Sequence, residues 1–250
     1  KKINFVASVI ITGSCRKPTI PPDVNTRIVN GEPAKAHSWP WQPSPKFGHT
    51  CGGTLIYKNW VLTAAHCFIR YAYELHRWKM CLGKHNLTFS ESTEQCFNML
   101  GIYHNEGFQY PTVPSVEFNI ALVRLDGEVT PNDYIDFACL PSFEEVLPGG
   151  KKCYATGWGD ETGNSTAPKV ADALDQVALP VVPYDTCKRT DYWWFQVKTS
   201  MICCDLVMAD SGGLLGCKMS GSEASWAVHG STCFTRISGF SEWTEDNTNY

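Results

Sequence analysis

The sequence predicts an all-β protein, and three observations support this class. Short apolar or β-branched runs alternate with Gly, Pro and Asn turns along most of the 250 residues, which is typical of a β-sandwich or barrel. Patterns with the helical period of 3.6 are few. The chain is 43% hydrophobic and carries 20 Gly and 15 Pro, so it has enough apolar material for a core and is not a disordered or collagen-like chain.

Seven runs are expected to form strands: TLIY at 54–57, NWVLTA at 59–64, IALVRL at 120–125, KCYATGWG at 152–159, QVALPVV at 176–182, WAVHG at 226–230 and CFTRI at 233–237. Two segments have helix signals. A short helix is expected to begin at Tyr184, within 184–189. An amphipathic helix is expected from Ser238 to Asp246, because Phe240 and Trp243 share one face at helical spacing.

Two segments precede the strand-rich part of the chain. Residues 1–14 pair two lysines with a short apolar stretch and are typical of the tail of a secretory signal peptide; the alternative is a buried first strand. Residues 15–27 contain three prolines and show neither sheet nor helix periodicity, so we interpret them as a linker or propeptide.

Charge and cysteine content restrict the function classes. The net charge is −4, from 21 Lys and Arg against 25 Asp and Glu, so no basic excess favours nucleic acid as a partner. Beyond the N-terminus no apolar run reaches the about 18 residues that a membrane span requires. The 12 Cys are spaced widely and irregularly, which favours disulfides in an oxidising compartment over zinc sites. We therefore expect a secreted, extracellular protein.

Seven short motifs follow one another along the chain: RIVNG at 27–31, WPWQ at 39–42, CGGTL at 51–55, TAAHC at 63–67, FNIALVRL at 118–125, GWG at 157–159 and ADSGG at 209–213. In this order they resemble the chymotrypsin-like serine proteases, from about Cys15 to the C-terminus. The local likeness is greatest to the pancreatic elastase and chymotrypsin C branch of that family.

The resemblance implies an architecture and an activation step. It implies two antiparallel six-stranded β-barrels with a C-terminal helix, within a peptidase domain at 28–250. The first barrel would span about 28–139 and the second about 140–250. Cleavage after Arg27 would free the Ile28 ammonium to pair with Asp210 and order the catalytic loop.

The resemblance also implies roles in acyl transfer. Ser211 would be the nucleophile, and His66 would accept its proton and return it to the leaving amine, because imidazole titrates near neutral pH. The backbone N–H groups of Ala209 and Ser211 would form the oxyanion hole. Ala209 stands where the family has Gly, and loss of one oxyanion donor costs about 10²–10³-fold in rate.

Asn119 is the main departure from the family pattern, which has Asp at this place in the triad. An aspartate accepts the imidazole N–H and stabilises the imidazolium, whereas an amide can donate to the same nitrogen and favour the wrong tautomer. In this family such a change lowers turnover by roughly 10⁴-fold. We therefore expect weak or absent activity.

Two short intervals favour the same conclusion. Only residues 204–210 separate Cys203 from Ser211, and only 231–233 separate WAVHG from FTRI. The resemblance implies that the missing residues would have built a pocket wall and the strand that pairs with substrate. The sequence thus predicts a secreted serine endopeptidase zymogen of impaired activity. One alternative is an inactive homologue that binds other secreted proteins; another is an altered transcript with a poorly folded product.

The resemblance assigns four disulfides, namely Cys15–Cys139, Cys51–Cys67, Cys153–Cys217 and Cys187–Cys203. Four further cysteines have no assigned pairing: Cys81, Cys96, Cys204 and Cys233. Cys81 and Cys96 could join neighbouring strands of the first barrel, and Cys204 and Cys233 could pair with each other or remain thiols.

The remaining expectations concern glycans, metals and partners. Asn86 and Asn164 each begin an Asn-X-Thr pattern for N-glycosylation. Lys84 stands where calcium-binding relatives have an acidic ligand, so neither a metal nor another cofactor is expected; Lys84 could instead pair with Glu91 or Glu94. The expected partner is a peptide or protein, as substrate or binding partner, and the expected state is a monomer.

Overall fold

A computed structural model describes the following residues: 17–24, 31–45, 51–69, 74–109, 112, 117–143, 145–159, 170–189, 197–204, 214–219, 226–230 and 235–248. Strands and their connections dominate this part of the chain, so the all-β class is confirmed. None of the helices described here has the length and apolar character needed to cross a membrane.

The described residues contain twelve strands: β1 Glu32–Pro33, β2 Ser44–Pro45, β3 Thr54–Tyr57, β4 Trp60–Thr63, β5 Lys79–Leu82, β6 Gln95–His104, β7 Ala121–Leu125, β8 Lys152–Gly157, β9 Asp175–Val182, β10 Cys203–Cys204, β11 Leu214–Lys218 and β12 Trp226–Gly230. They form two six-stranded antiparallel sheets. The first sheet has the order β2-β5-β6-β7-β4-β3, and the second has β1-β9-β8-β11-β12 with β10 also paired to β9. The first strand among the described residues, β1, therefore belongs to the second sheet.

Helices are short in the part of the chain that the structure describes: α1 at Tyr184–Cys187, α2 at Ser241–Thr248, and 3₁₀ turns at Ala65–Phe68, Leu75–Arg77 and Ile237–Phe240. The expected helix at 184–189 is present in its first turn. The expected C-terminal helix begins at Ser241 rather than Ser238, because Ile237–Phe240 first forms a tighter 3₁₀ turn.

The expected strand over CFTRI at 233–237 is wrong for the residues that are described. Thr235 is not in a strand, Arg236 is a single bridge residue whose N–H donates to the Ser200 carbonyl at 2.9 Å, and the 3₁₀ turn begins at Ile237. The Gly239 N–H then donates back to the Arg236 carbonyl at 3.1 Å. This local hydrogen bond closes a turn where β-branched composition alone favoured a strand.

Buried tryptophans connect the two sheets through one core. Trp39, which precedes β2, is 2% exposed and meets Trp226 of β12 edge to face at 4.9 Å. Tyr154 of β8 meets Trp226 in the same way at 5.6 Å. Such aromatic pairs contribute about 0.5–1.5 kcal/mol beyond the area they bury. The packing of these rings fixes the sheets against each other and so positions loops that both sheets supply.

Four disulfides lie within the described residues: Cys51–Cys67, Cys81–Cys96, Cys153–Cys217 and Cys187–Cys203. Three of them are pairings that the family resemblance implies, and the fourth joins β5 to β6. Cys139 is disulfide-bonded as well, while Cys15, its expected partner, lies outside the described residues, as does Cys233. Cys204 is a buried thiol.

Gly83 begins the loop between β5 and β6 in the left-handed region, with φ +72°. A Cβ there would meet the Thr93 carbonyl oxygen and the Ile135 side chain, the latter at 2.9 Å. Gly150 has a similar φ of +80°, yet a Cβ would meet no atom within 4 Å. The two glycines thus share a backbone conformation but differ in surrounding space.

We expect Gly83→Ala to lower the free energy of unfolding more than Gly150→Ala does. Both variants incur the left-handed penalty of roughly 1–2 kcal/mol, but only Gly83→Ala adds overpacking of about 1–3 kcal/mol. Urea unfolding of both variants measures the difference. Equal losses in the two variants would show that the Gly83 contacts do not constrain this loop.

Candidate active site

The register between β4 and β7 brings His66 and Asn119 together. Thr63, the last residue of β4, pairs with Ala121, the first residue of β7. The strands are antiparallel, so the chain leaving β4 runs beside the chain entering β7. His66 follows in the 3₁₀ turn Ala65–Phe68, and Asn119 lies two residues before Ala121. Two positions far apart in sequence therefore meet at one sheet edge.

Three contacts join His66 and Asn119. The His66 backbone N–H donates to Asn119 Oδ1 at 2.9 Å. Asn119 Nδ2 lies 2.8 Å from His66 Nδ1, and Oδ1 lies 3.2 Å from the same ring nitrogen. Asn119 is 3% exposed and His66 is half-buried. The carboxamide is thus held by the main chain as well as by the imidazole.

The backbone contact fixes which way round the Asn119 amide lies. A backbone N–H can only donate, so the atom facing it must be the amide oxygen. The amide nitrogen then faces Nδ1 and donates to it, which requires Nδ1 to be unprotonated. A neutral His66 ring with this partner therefore carries its proton on Nε2. That is the tautomer in which Nε2 cannot accept a proton from a nucleophile.

Burial of the imidazole lowers the pKa of His66 below its ordinary value of 6.5. The hydrogen bond with Asn119 opposes this shift in part, because Oδ1 at 3.2 Å would accept from a protonated ring. The ring is neutral at pH 7 as a result. Its tautomer, rather than its charge, is what limits it as a base.

Phe118 and Thr235 fix the position of the Asn119 backbone. Phe118 has φ +57°, the left-handed region that bulky side chains rarely adopt. Its ring packs edge to face on Phe240 at 5.9 Å, and its carbonyl accepts the Ile120 N–H at 2.7 Å. The Thr235 hydroxyl donates to the Asn119 carbonyl at 3.2 Å. Residues from the C-terminal part of the chain thus complete the position of Asn119.

Sequence reasoning did not single out Phe118 or Thr235 as residues that position the site. Positive φ is normally signalled by Gly, Asn or Asp, so a phenylalanine gives no such signal. Thr235 bonds to a carbonyl 116 positions away in sequence, and no local pattern reports a contact of that range.

The disulfide Cys51–Cys67 lies directly against the imidazole, with Cys67 Sγ 3.9 Å from His66 Nε2. These three residues form one cluster of potential metal ligands among the described residues; Cys81, Glu94 and Cys96 form another. In both clusters the cysteines are disulfide-bonded, and it is the thiolate that binds metals. Neither cluster therefore has the donor set of a metal centre.

Several predicted site residues lie outside the described residues: Ser211, Ala209, Asp210, Arg27, Ile28 and Asn164. Their roles remain predictions. The structure brings together the two members of the predicted triad that it describes, His66 and Asn119.

The segment 17–24 packs on the second sheet near the predicted cleavage bond. Gln176, which is 3% exposed, donates through Nε2 to the Asp23 carbonyl at 2.6 Å and to Glu32 Oε1 at 3.1 Å. Its Oε1 accepts the Trp39 N–H at 2.9 Å, and the Tyr154 hydroxyl donates to the Val24 carbonyl at 3.0 Å. One buried amide thereby joins the chain on both sides of residues 25–31.

We expect His66 to titrate below pH 6.5 and to carry its neutral-state proton on Nε2. In Asn119→Asp the pKa should rise, because a carboxylate stabilises the imidazolium, and the proton should move to Nδ1. Long-range ¹H–¹⁵N NMR of the imidazole distinguishes the two tautomers directly. A proton on Nδ1 in the unaltered protein would contradict the amide orientation derived above.

Comparison with known proteins agrees with this geometry. The family model described as Trypsin matches residues 28–243. Chymotrypsin-C of Mus musculus is 33% identical over 98% of this chain and 97% of its own length. Chymotrypsin-like elastase family member 1 of Felis catus is 36% identical over 89% of this chain and 90% of its own length. With this match over most of its length, and with a histidine–carboxamide pair beside β4 and β7 of the first sheet, the chain belongs to the trypsin family of chymotrypsin-like serine proteases.

Proposed function

We propose that the protein is a secreted serine endopeptidase homologue, made as a zymogen, whose hydrolysis of peptide bonds is weak or lost. The observation that carries this proposal is the Asn119 amide donating to Nδ1 of His66 at 2.8 Å. The proposed substrate or partner is a peptide or protein, bound by a monomer without a metal or other cofactor. The net charge of −4 gives no basis for binding nucleic acid.

In the acyl-transfer mechanism of this family, the Ser211 hydroxyl would attack the peptide carbonyl while its proton passes to Nε2 of His66. With Nε2 already protonated, that transfer has no acceptor. In the productive tautomer the imidazole proton is on Nδ1. This N–H would then face the amide N–H of Asn119, so that two donors would point at each other. Rotating the amide would instead leave the His66 backbone N–H facing another donor, and an unsatisfied buried group costs about 1–3 kcal/mol. Both the change of tautomer and the rotation of the amide therefore raise the activation barrier for proton transfer to His66.

The second candidate function is that of an inactive homologue that acts by binding other secreted proteins. Asn119 favours it, since both ends of its amide and its carbonyl are hydrogen-bonded. The polar groups around Asn119 thus have hydrogen-bond partners without a negative charge in the site. The fold can therefore be kept for binding even where no peptide bond is hydrolysed. The two candidates differ only in whether Ser211 reacts.

Activation is proposed to follow cleavage between Arg27 and Ile28, after which the Ile28 ammonium would pair with Asp210. A buried ion pair is stable only when both charges are matched. The contacts of Gln176 with Asp23 and Glu32 support this arrangement, because they hold the chain both before and after the bond.

The proposed organisation is a signal-peptide remnant at 1–14, a propeptide at 15–27 and a peptidase domain at 28–250. The disulfides within the described residues are consistent with an oxidising, extracellular compartment. Asn86 and Asn164 are the proposed glycan acceptors. Asn86 Oδ1 accepts from the N–H and the hydroxyl of Thr88, at 2.8 and 2.6 Å, so the two ends of the Asn-X-Thr pattern are in contact.

We expect Asn119→Asp to increase the rate at which a fluorophosphonate probe labels Ser211 by at least about 100-fold after cleavage at Arg27. The carboxylate can accept from both the His66 backbone and Nδ1–H, and the reverse change costs roughly 10⁴-fold in this family. Such a probe needs no side-chain pocket, so the shortened intervals should affect it less than they affect peptide turnover. Labelling is measured by mass spectrometry before and after cleavage.

Two variants control this experiment. Asn119→Ala removes the donating amide without supplying a carboxylate and should not reproduce the increase, whereas Ser211→Ala should abolish labelling. Rapid labelling of the unaltered protein, at the rate of the Asn119→Asp variant, would show that Asn119 does not limit catalysis. It would also exclude the inactive homologue.

We expect the protein secreted from eukaryotic cells to carry a glycan at Asn86 that Thr88→Val removes. The substitution preserves side-chain shape but eliminates the hydroxyl that the acceptor pattern requires. Mass spectrometry with and without enzymatic deglycosylation measures the loss, and Thr166→Val provides the matched test for Asn164. A Thr88→Val variant that differs from the unaltered protein only by the mass of the side-chain substitution would refute the assignment of Asn86.

A further inference from the structure

A nearly buried ion pair lies inside the loop at 83–94, which connects β5 to β6. The side chains of Lys84 and Glu94 are only 7% and 8% exposed. The Lys84 ammonium contacts Glu94 Oε1 and also donates to the Phe89 carbonyl at 2.8 Å. A buried ammonium is costly unless it is both paired and hydrogen-bonded, and Lys84 meets both conditions.

The carboxylates around this ammonium organise the loop backbone. Glu94 Oε1 also accepts the Glu91 N–H at 2.8 Å. Glu91 Oε2 in turn accepts the N–H groups of His85 and Asn86, at 2.6 and 3.1 Å. The ammonium is therefore held directly by the Glu94 carboxylate and the Phe89 carbonyl, while Glu91, whose N–H is bound by Glu94, orders the backbone at His85 and Asn86. The disulfide Cys81–Cys96 closes the base of the loop.

The same loop joins the two halves of the molecule. The His85 carbonyl accepts the Leu174 N–H and the Trp158 indole N–H, both at 2.9 Å. The Leu87 N–H donates to the Asp172 carbonyl at 2.7 Å. These partners flank β8 and β9 of the second sheet, so the order of the loop contributes to how the sheets are held together.

We propose that the Lys84 ammonium is the resident cation of the 83–94 loop, so that the loop folds and joins the two sheets without a divalent metal ion. Ca²⁺ prefers six to eight oxygen ligands. Here the ammonium already engages the Phe89 carbonyl and the Glu94 carboxylate, and a second cation among these oxygens would meet its positive charge. The residues present therefore do not fit a calcium site of the kind that calcium-binding relatives have, in agreement with the expectation from Lys84. This proposal does not depend on whether Ser211 reacts.

The test compares the full-length protein in EDTA and in excess CaCl₂. The unaltered protein should have the same Tm in both, and the amides of 83–94 should show the same protection from hydrogen exchange. Lys84→Met should lower the Tm by roughly 6 °C or more in both solutions, because it leaves Glu94 buried without its cation. Lys58→Met is the matched control: its pair with Glu128 is 51% and 69% exposed, so its Tm should barely change.

Lys84→Glu provides the converse result. A third carboxylate beside Glu91 and Glu94 should lower the Tm in EDTA through like-charge repulsion, and CaCl₂ should restore both the Tm and the protection of the loop. Calcium-dependent Tm or exchange of loop 83–94 in the unaltered protein would overturn the proposal. So would a Lys84→Met variant as stable as Lys58→Met. The calcium dependence of the unaltered protein and the Tm of Lys84→Met relative to Lys58→Met test the proposal even if Lys84→Glu does not fold.

Discussion

The site depends on one hydrogen bond, from the His66 backbone N–H to Asn119 Oδ1 at 2.9 Å. A carboxylate has two oxygens and can accept from this N–H and from the imidazole at once. A carboxamide has one oxygen, which the backbone N–H already engages, and its other end is a donor. The amide nitrogen must then face the ring at 2.8 Å. The fold itself thereby sets the tautomer, and a change of one atom reverses a chemical role without moving the chain.

Folding and chemistry are accordingly separable in this molecule. The β4–β7 register, the buried tryptophans and the disulfides hold the site in place irrespective of what residue 119 can do as an acid or base. Asn119 is 3% exposed, and a neutral amide with its partners satisfied is less costly to bury than a carboxylate that lacks a cation. The scaffold therefore accommodates Asn119 whatever its effect on catalysis. An intact fold is compatible with a lost activity.

The sequence was sufficient to predict strands that have a local apolar signal and site residues that belong to a family motif. Apolar runs predicted β3, β4, β7, β8, β9 and β12, and the motifs identified His66 and Asn119. β6 was missed because only one of its ten residues is buried and its apolar residues do not alternate regularly with polar ones. Sequence spacing could not show that Lys84 pairs with Glu94 rather than with Glu91, because the conformation of the loop determines which carboxylate reaches the ammonium. The left-handed Phe118 likewise depends on packing against Phe240, a long-range contact.

The turn at Asn119 also affects how the protein ages. Conversion of an asparagine to aspartate begins when the following backbone nitrogen attacks the side-chain carbonyl carbon and forms a succinimide ring. Here the Ile120 N–H is engaged by the Phe118 carbonyl at 2.7 Å, and Asn119 is excluded from the water that would hydrolyse the ring. Spontaneous deamidation, which would install the family's aspartate, is therefore opposed. The turn and the burial thus protect the carboxamide of Asn119 against slow conversion to the acid.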